Sequence, residues 1–397
     1  MNMKCFDNIY KSNQISNVPL DEEEILHGKD ENLYVSRLIR TKAIPYSNSN
    51  SKSIVNHKSH IITGGTNGLG LLVGRWLASQ QIEKLLLTSR RGSVNFTDHE
   101  WMLLMNTLHD DVAVKSVDIS QNVDALNSLF SCVSNVAFTG VWHAAGVLHD
   151  DLISKQTTIS MHASYQPKAH GALVLHKTHF NLYPYILFSS IASLLGGAGQ
   201  LNYSAANGSL DALASTRKLD GLHANSVQWA AWKETGMATR DSAGNRMRIL
   251  DEKFGLKRIS SNDGLKALEI TLCSNLTVMT VAPIVWSLYL KDKKSSFLSF
   301  FSKTKLLNSN AHTSIPMTAT SSLSVEFILE LASNMTDNFI NTDSPLMDAG
   351  IDSLGAVEFK NQLQEKVQTS LPGTLMFDYP TVRQVATLFK NQQNSTL

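Results

Sequence analysis

The chain has 397 residues, 43% of them hydrophobic and 17% charged, with 35 basic against 34 acidic side chains and a formal net charge of +1. That ordinary globular balance holds material for two or three domains; it excludes a nucleic-acid binder, which needs a clustered basic surface. No run of about 18 apolar residues is present to span a membrane. Cys5, Cys132 and Cys273 lie far apart without metal-ligand spacing, so neither disulfides nor a metal site is expected. With an N-terminus that lacks an apolar signal segment, this predicts a cytoplasmic protein.

Residues 1–56 are polar apart from a patch at Leu33–Ile39, and the Ser/Asn-rich stretch after Pro45 reads as a linker or exposed loop. From His60 the character changes. His60–Thr63, Lys84–Thr88, Val112–Val117, Gly140–His143, Tyr185–Phe188 and Ser226–Trp229 read as buried strands. Leu71–Ala78 and Asn207–Arg217 are among the helical stretches between them. The alternation predicts an α/β fold with a doubly wound parallel, Rossmann-like sheet over residues 57–292. Residues 293–320, rich in Ser, Thr and Asn from Lys303 onward, read as a linker. In 321–392, Ser324–Met335, Ser353–Val367 and Thr381–Gln392 carry helical periodicity and predict a small all-α bundle.

The first strand runs into Thr63-Gly64-Gly65-Thr66-Asn67-Gly68-Leu69-Gly70, and a helix follows. Such a turn lets backbone N–H groups approach a pyrophosphate, so Thr63, Gly64, Gly65, Gly68, Leu69 and Gly70 are candidate cofactor contacts. The second strand ends in Thr88-Ser89-Arg90-Arg91. An NAD site places a carboxylate near here, whereas arginine suits a 2′-phosphate; two arginines, Arg90 and Arg91, and no acid favour NADPH, with Ser89 and Arg90 as candidate contacts. Asp118 closes the third strand, where it either reaches the adenine or caps the next helix.

Tyr203 and Asn207, four apart at the start of a helix, share a face, and Ser190 follows a strand. Ketone reduction needs a hydride at carbon and a proton at the developing alkoxide. A tyrosine hydroxyl can give the proton when a cation lowers its pKa from about 10, and a serine hydroxyl can hold the carbonyl oxygen.

Thr63–Gly70, His143-Ala-Ala-Gly146, Phe188-Ser-Ser-Ile-Ala192, Tyr203-Ser-Ala-Ala-Asn207 and Gln228-Trp-Ala-Ala-Trp232 together resemble the ketoreductase domain of polyketide synthases and animal-type fatty acid synthases. This is a branch of the short-chain dehydrogenase/reductases. The resemblance implies that Tyr203 donates the proton, Ser190 polarises the ketone, and Asn207 and Lys168 support the transfer. The lysine comes from an earlier helix, in Gln166-Pro-Lys-Ala-His-Gly171. It also implies that Ala145 and Gly146 join the cofactor site. Leu148-His149-Asp150-Asp151 resembles the Leu-Asp-Asp motif tied to one hydroxyl configuration, with Asp150 at its second Asp and His149 in place of the first. Met237 and the polar stretch after it resemble the mobile lid over the substrate. Asn32–Arg40 resembles the tail of the structural subdomain that precedes such domains. Residues 1–56 then read as its remnant, and the chain as a piece of a larger synthase or one subunit of a split one.

Near the C-terminus, Asp348-Ala-Gly-Ile-Asp352-Ser353-Leu354 places Ser353 at a helix start, where a serine serves as a cap. The segment also resembles the attachment motif of acyl and peptidyl carrier domains, which implies a covalent 4′-phosphopantetheine on Ser353 bearing an acyl thioester. The whole implies an NADPH-dependent β-ketoacyl-thioester reductase with its own carrier. Its partners would be a phosphopantetheinyl transferase and the ketosynthase, acyltransferase and other domains of a synthase. The alternative is an inactive reductase scaffold with a working carrier.

Overall fold

In the computed structural model five short strands precede those expected: β1 (Met3–Phe6), β2 (Tyr10–Ser12), β3 (Ile25–His27), β4 (Leu33–Val35) and β5 (Ile39–Arg40). The structure describes residues 3–6, 10–12, 25–27, 33–35, 39–40, 55, 57–121, 138–178, 181–236, 251–252, 254–291, 297–298, 301, 324–333, 340–349, 351, 353–367, 371 and 375–394, with side chains from 55 onward except at some helix positions. The expected strands follow as β6 (Ser59–Thr63), β7 (Lys84–Ser89), β8 (Val112–Ser116), β9 (Phe138–His143), β10 (Tyr185–Ser190) and β11 (Asn225–Trp229). A further strand, β12 (Val278–Val281), completes them.

One nine-stranded sheet has the order β5-β1-β12-β11-β10-β9-β6-β7-β8. The seven strands from β12 to β8 run parallel. β1 and β5 extend the edge antiparallel, Met3 opposite Val281 and Lys4 opposite Arg40. β2, β4 and β3 make a separate three-stranded sheet.

Parallel strands with helices on both faces must be apolar at every position, because successive side chains point to opposite sides. That is what separates the two cores. Ile62, Leu85, Leu87, Trp142, Ile186 and Phe188 enter one; Ile61, Leu86, Val141, Tyr185 and Leu187 enter the other. The covering helices include α1 (Gly68–Ser79), α2 (His99–Leu108), α3 (Thr158–Tyr165), α4 (Gly171–Thr178), α5 (Leu201–Leu219) and α6 (Ser261–Cys273). A turn of π-helix, Gln166–His170, joins α3 to α4. Packing extends past residue 292 into the expected linker: Leu298 and Phe301 are buried with Trp286 and Tyr289, and Phe301 stacks on Trp286 at 4.2 Å between ring centroids. Apolar side chains so close to a core are cheaper to bury than to expose.

The C-terminal helices form a second compact unit. They are α7 (Val325–Ser333), α8 (Ser353–Val367) and α9 (Val382–Asn394), with a single turn at Leu375–Asp378. Val382, Val385 and Phe389, at helical spacing, close a core with Ile328, Leu331, Phe359 and Leu363. Among the described residues no helix is long and apolar enough to cross a membrane.

Candidate active site

β6 and β9 are neighbours, yet β6 leads outward to β7 and β9 leads the other way to β10. The crevice at their carboxyl ends is where such sheets bind ligands. Thr63 and His143, the last residues of the two strands, lie opposite each other. Thr63 Oγ1 lies 2.7 Å from His143 Nδ1, and His143 Nε2 lies 2.8 Å from the carbonyl oxygen of Lys168. A carbonyl only accepts, so Nε2 carries the proton and Nδ1 accepts from the threonine. The ring thus links the phosphate turn to the lysine turn. Burial pushes the His143 pKa down to about 4, and the same cause takes His60 to about 4.

These two rings make acid stability predictable. Both folded-state pKa values are depressed, so between about pH 6.5 and about pH 4 the unfolded chain binds protons that the folded one refuses. Their stabilising effect is present above that window and is lost as pH falls through it, by up to about 3 kcal/mol per ring. Denaturant melts at about pH 7.5 and about pH 5 check this, and coincident midpoints would contradict it.

Gly64 has φ +68°, and a Cβ there would stand 2.8 Å from the Ala145 backbone. Its absence lets the turn seat against the backbone of Ala144 and Ala145. Asn67 precedes α1 without a side-chain capping bond, and the first turn, which contains Gly68, Leu69 and Gly70, holds no acid. That donor set fits a dinucleotide pyrophosphate. Ser89 Oγ accepts from Gly92 N at 3.1 Å. Arg90 is exposed, and its carbonyl accepts from Ser116 Oγ at 2.8 Å. Asp118 Oδ1 accepts from Ser120 N at 3.0 Å and Ser120 Oγ at 2.6 Å, so this oxygen closes a local turn.

Lys168 sits in the π-turn, 3% exposed. One surplus residue in a helix re-aims the side chains beside it, and here it turns a lysine inward. Nζ donates to the Phe188 carbonyl at 2.8 Å and lies 5.4 Å from the centroid of the Tyr203 ring. A Cβ on Gly146 would meet Lys168 Cε at 2.7 Å, so the glycine leaves room for the lysine stem. Burial lowers the Lys168 pKa to about 8, opposed by the negative charge of Asp211. Tyr203 is buried on α5. One turn on, Asn207 Nδ2 donates to the Tyr203 carbonyl at 2.7 Å, while its Oδ1 is buried without a hydrogen-bond partner among the described residues. Ser190 ends the strand that Lys168 grips; its oxygen accepts from Ala192 N at 3.2 Å, and its own O–H can still donate.

Asp150 Oδ2 accepts from Gln200 Nε2 at 3.0 Å. Met237 lies outside the described residues. In the helical unit, Ser353 is the first residue of α8. The loop before it is pinned by Leu346 N donating to the Pro380 carbonyl at 2.8 Å and by Ile351 N donating to the Leu346 carbonyl at 3.1 Å. Leu346 and Ile351 are buried.

A model of the KR domain matches residues 58–234, and a model of the phosphopantetheine attachment site matches 326–389. Residues 58–234 thus belong to a KR domain and residues 326–389 to a phosphopantetheine attachment domain, and the curated relatives are polyketide synthases. It is 29% identical over 357 residues to polyketide synthase GfsA of Streptomyces halstedii, a match that covers 82% of this chain and 5% of that protein. It is 30% identical over 315 residues to the phthioceranic/hydroxyphthioceranic acid synthase of Mycobacterium tuberculosis, covering 77% of this chain and 15% of the synthase. The chain thus spans a small part of these relatives. Among solved structures, a ketoreductase from the first module of phoslactomycin biosynthesis in Streptomyces sp. HK803 superposes with a TM-score of 0.64 at 30% identity. That match covers 72% of this chain and 66% of that one.

Within the KR domain the site also draws on residues to which the sequence reading gives no role. His143 bridges the two halves of the crevice. Asn202, fully buried, donates from Nδ2 to the carbonyls of His149 at 2.8 Å and Ser160 at 3.2 Å and so anchors the segment beside Tyr203. Their signal is weak, because a buried polar side chain looks in sequence like a solvated one.

Proposed function

We propose that the KR domain reduces a β-ketoacyl group, held as a thioester on the carrier domain, to the β-hydroxyacyl group. The observation that carries this reading is the buried ammonium of Lys168, placed between the Phe188 carbonyl and the Tyr203 ring. When bound, NADPH supplies the hydride for the β-carbon. Ser190 donates a hydrogen bond to the ketone oxygen and holds it. The Tyr203 hydroxyl gives its proton to the same oxygen as negative charge develops there, leaving a phenolate. Lys168 favours that phenolate by its charge, and Asn207 keeps the tyrosine backbone fixed by its bond to the Tyr203 carbonyl. The test is consumption of NADPH by the full chain with a β-ketoacyl thioester.

Thr63, Gly64, Gly65, Gly68, Leu69, Gly70, Ala145 and Gly146 would hold the dinucleotide. Ser89 and Arg90 would meet the 2′-phosphate; the exposed guanidinium at the end of β7 supports NADPH over NADH. Arg90→Ala is expected to lower kcat/KM for NADPH about tenfold while sparing NADH, as loss of one charge-assisted contact implies. An unchanged cofactor ratio would contradict the assignment.

Ser353 would carry 4′-phosphopantetheine, installed by a phosphopantetheinyl transferase. A phosphodiester is favoured at a helix start, and α8 begins there. Ketosynthase and acyltransferase domains would deliver the β-ketoacyl chain. Asp150, held by Gln200, would bear on hydroxyl configuration, as its place in Leu148-His149-Asp150 suggests.

A further inference from the structure

Asp211 stands two turns past Tyr203 and one past Asn207 on α5, so the three share a face. Three donors from two other segments surround its carboxylate. Ser226 Oγ donates to Oδ1 at 2.6 Å; Gln228 Nε2 and Ser193 Oγ each donate to Oδ2 at 2.8 Å. Ser226 and Gln228 are two apart on β11 and face the same side. Gln228 Oε1 in turn accepts from Thr280 Oγ1 at 2.6 Å, which fixes its amide. The glutamine that opens Gln228-Trp-Ala-Ala-Trp232 therefore serves this carboxylate.

The network reaches the reactive residues. Ser193 Oγ also lies 2.8 Å from the Ser190 carbonyl, and Ser189 Oγ donates to the Asn207 carbonyl at 3.3 Å. No cation touches Asp211 among the described residues. Burial holds its carboxyl above the ordinary range, against the hydrogen bonds of Ser226, Gln228 and Ser193. An unpaired carboxylate in such a place is costly. Here both of its oxygens accept from neighbours that donate, a set that an asparagine, with one acceptor oxygen, would not match.

We propose that Asp211 is a positioning residue of the reductase: by holding Ser193 it fixes the turn that presents Ser190. This rests on the ketoreductase reading above.

Asp211→Asn keeps the shape and turns one acceptor into a donor. With the full chain, NADPH-dependent reduction of acetoacetyl-coenzyme A is followed. Asp211→Asn and Ser193→Ala are each expected to lower kcat several-fold with KM for NADPH unchanged. In a Ser190→Ala background neither should cost anything further, because the hydroxyl that they position is gone. A purely structural Asp211 would cost the same in both backgrounds. Equal losses in the two backgrounds, or full kcat in Ser193→Ala, overturns the inference; the second result is informative even if Asp211→Asn does not fold. A wild-type chain that reduces no β-ketoacyl thioester defeats the ketoreductase reading itself.

Discussion

Tyr203→Phe is expected to lower the rate of β-ketoacyl-thioester reduction by about 10²- to 10⁴-fold, the range for loss of a general acid. The substitution deletes one oxygen from a buried ring and leaves the ring facing the Lys168 ammonium. Folding stability should therefore change by only about 1 kcal/mol, the scale of a single hydrogen bond. Asn207 binds the backbone carbonyl of residue 203, so its contact survives. NADPH consumption and a thermal melt on the same preparation measure both quantities. Retention of more than about a tenth of the wild-type rate would mean that the proton comes from elsewhere.

Ser353→Ala should abolish attachment of phosphopantetheine altogether, since the transfer needs that hydroxyl. The helical unit should persist: its core is built from Ile328, Phe359, Leu363, Val385 and Phe389, and a change at a helix start costs about 1 kcal/mol. Mass spectrometry after treatment with a phosphopantetheinyl transferase and coenzyme A reads the first effect. The variant should still reduce a diffusible thioester, but lose turnover of substrate delivered on its own arm, where tethering supplies about millimolar effective concentration. A mass gain on the Ser353→Ala chain would relocate the attachment point.

Much of this was legible in the sequence, for physical reasons. Strands buried on both faces announce themselves as apolar runs, so β6, β7, β9 and β10 were expected within two residues at either end. Tyr203 and Asn207 stand at helical spacing and needed only a helix to meet on one face. The strands of the first 40 residues were not legible. Met3–Phe6 owes its conformation to pairing with Val278–Val281, a contact that no local window contains. Asp211 was equally silent. On a helix it looks solvated, and its burial depends on Ser193, Ser226 and Gln228 arriving from other elements. The chain bounds of the reductase were blurred by Leu298 and Phe301, whose partners Trp286 and Tyr289 lie upstream.

The π-turn at Gln166–His170 makes the aim of Lys168 a matter of counting. An α-helix rotates about 100° per residue, so deleting one residue between α3 and α4 would swing the ammonium off the Phe188 carbonyl while every side chain kept its identity. Hybrid synthases assembled by exchanging this stretch should therefore tolerate changes of composition far better than a change of length by a single position.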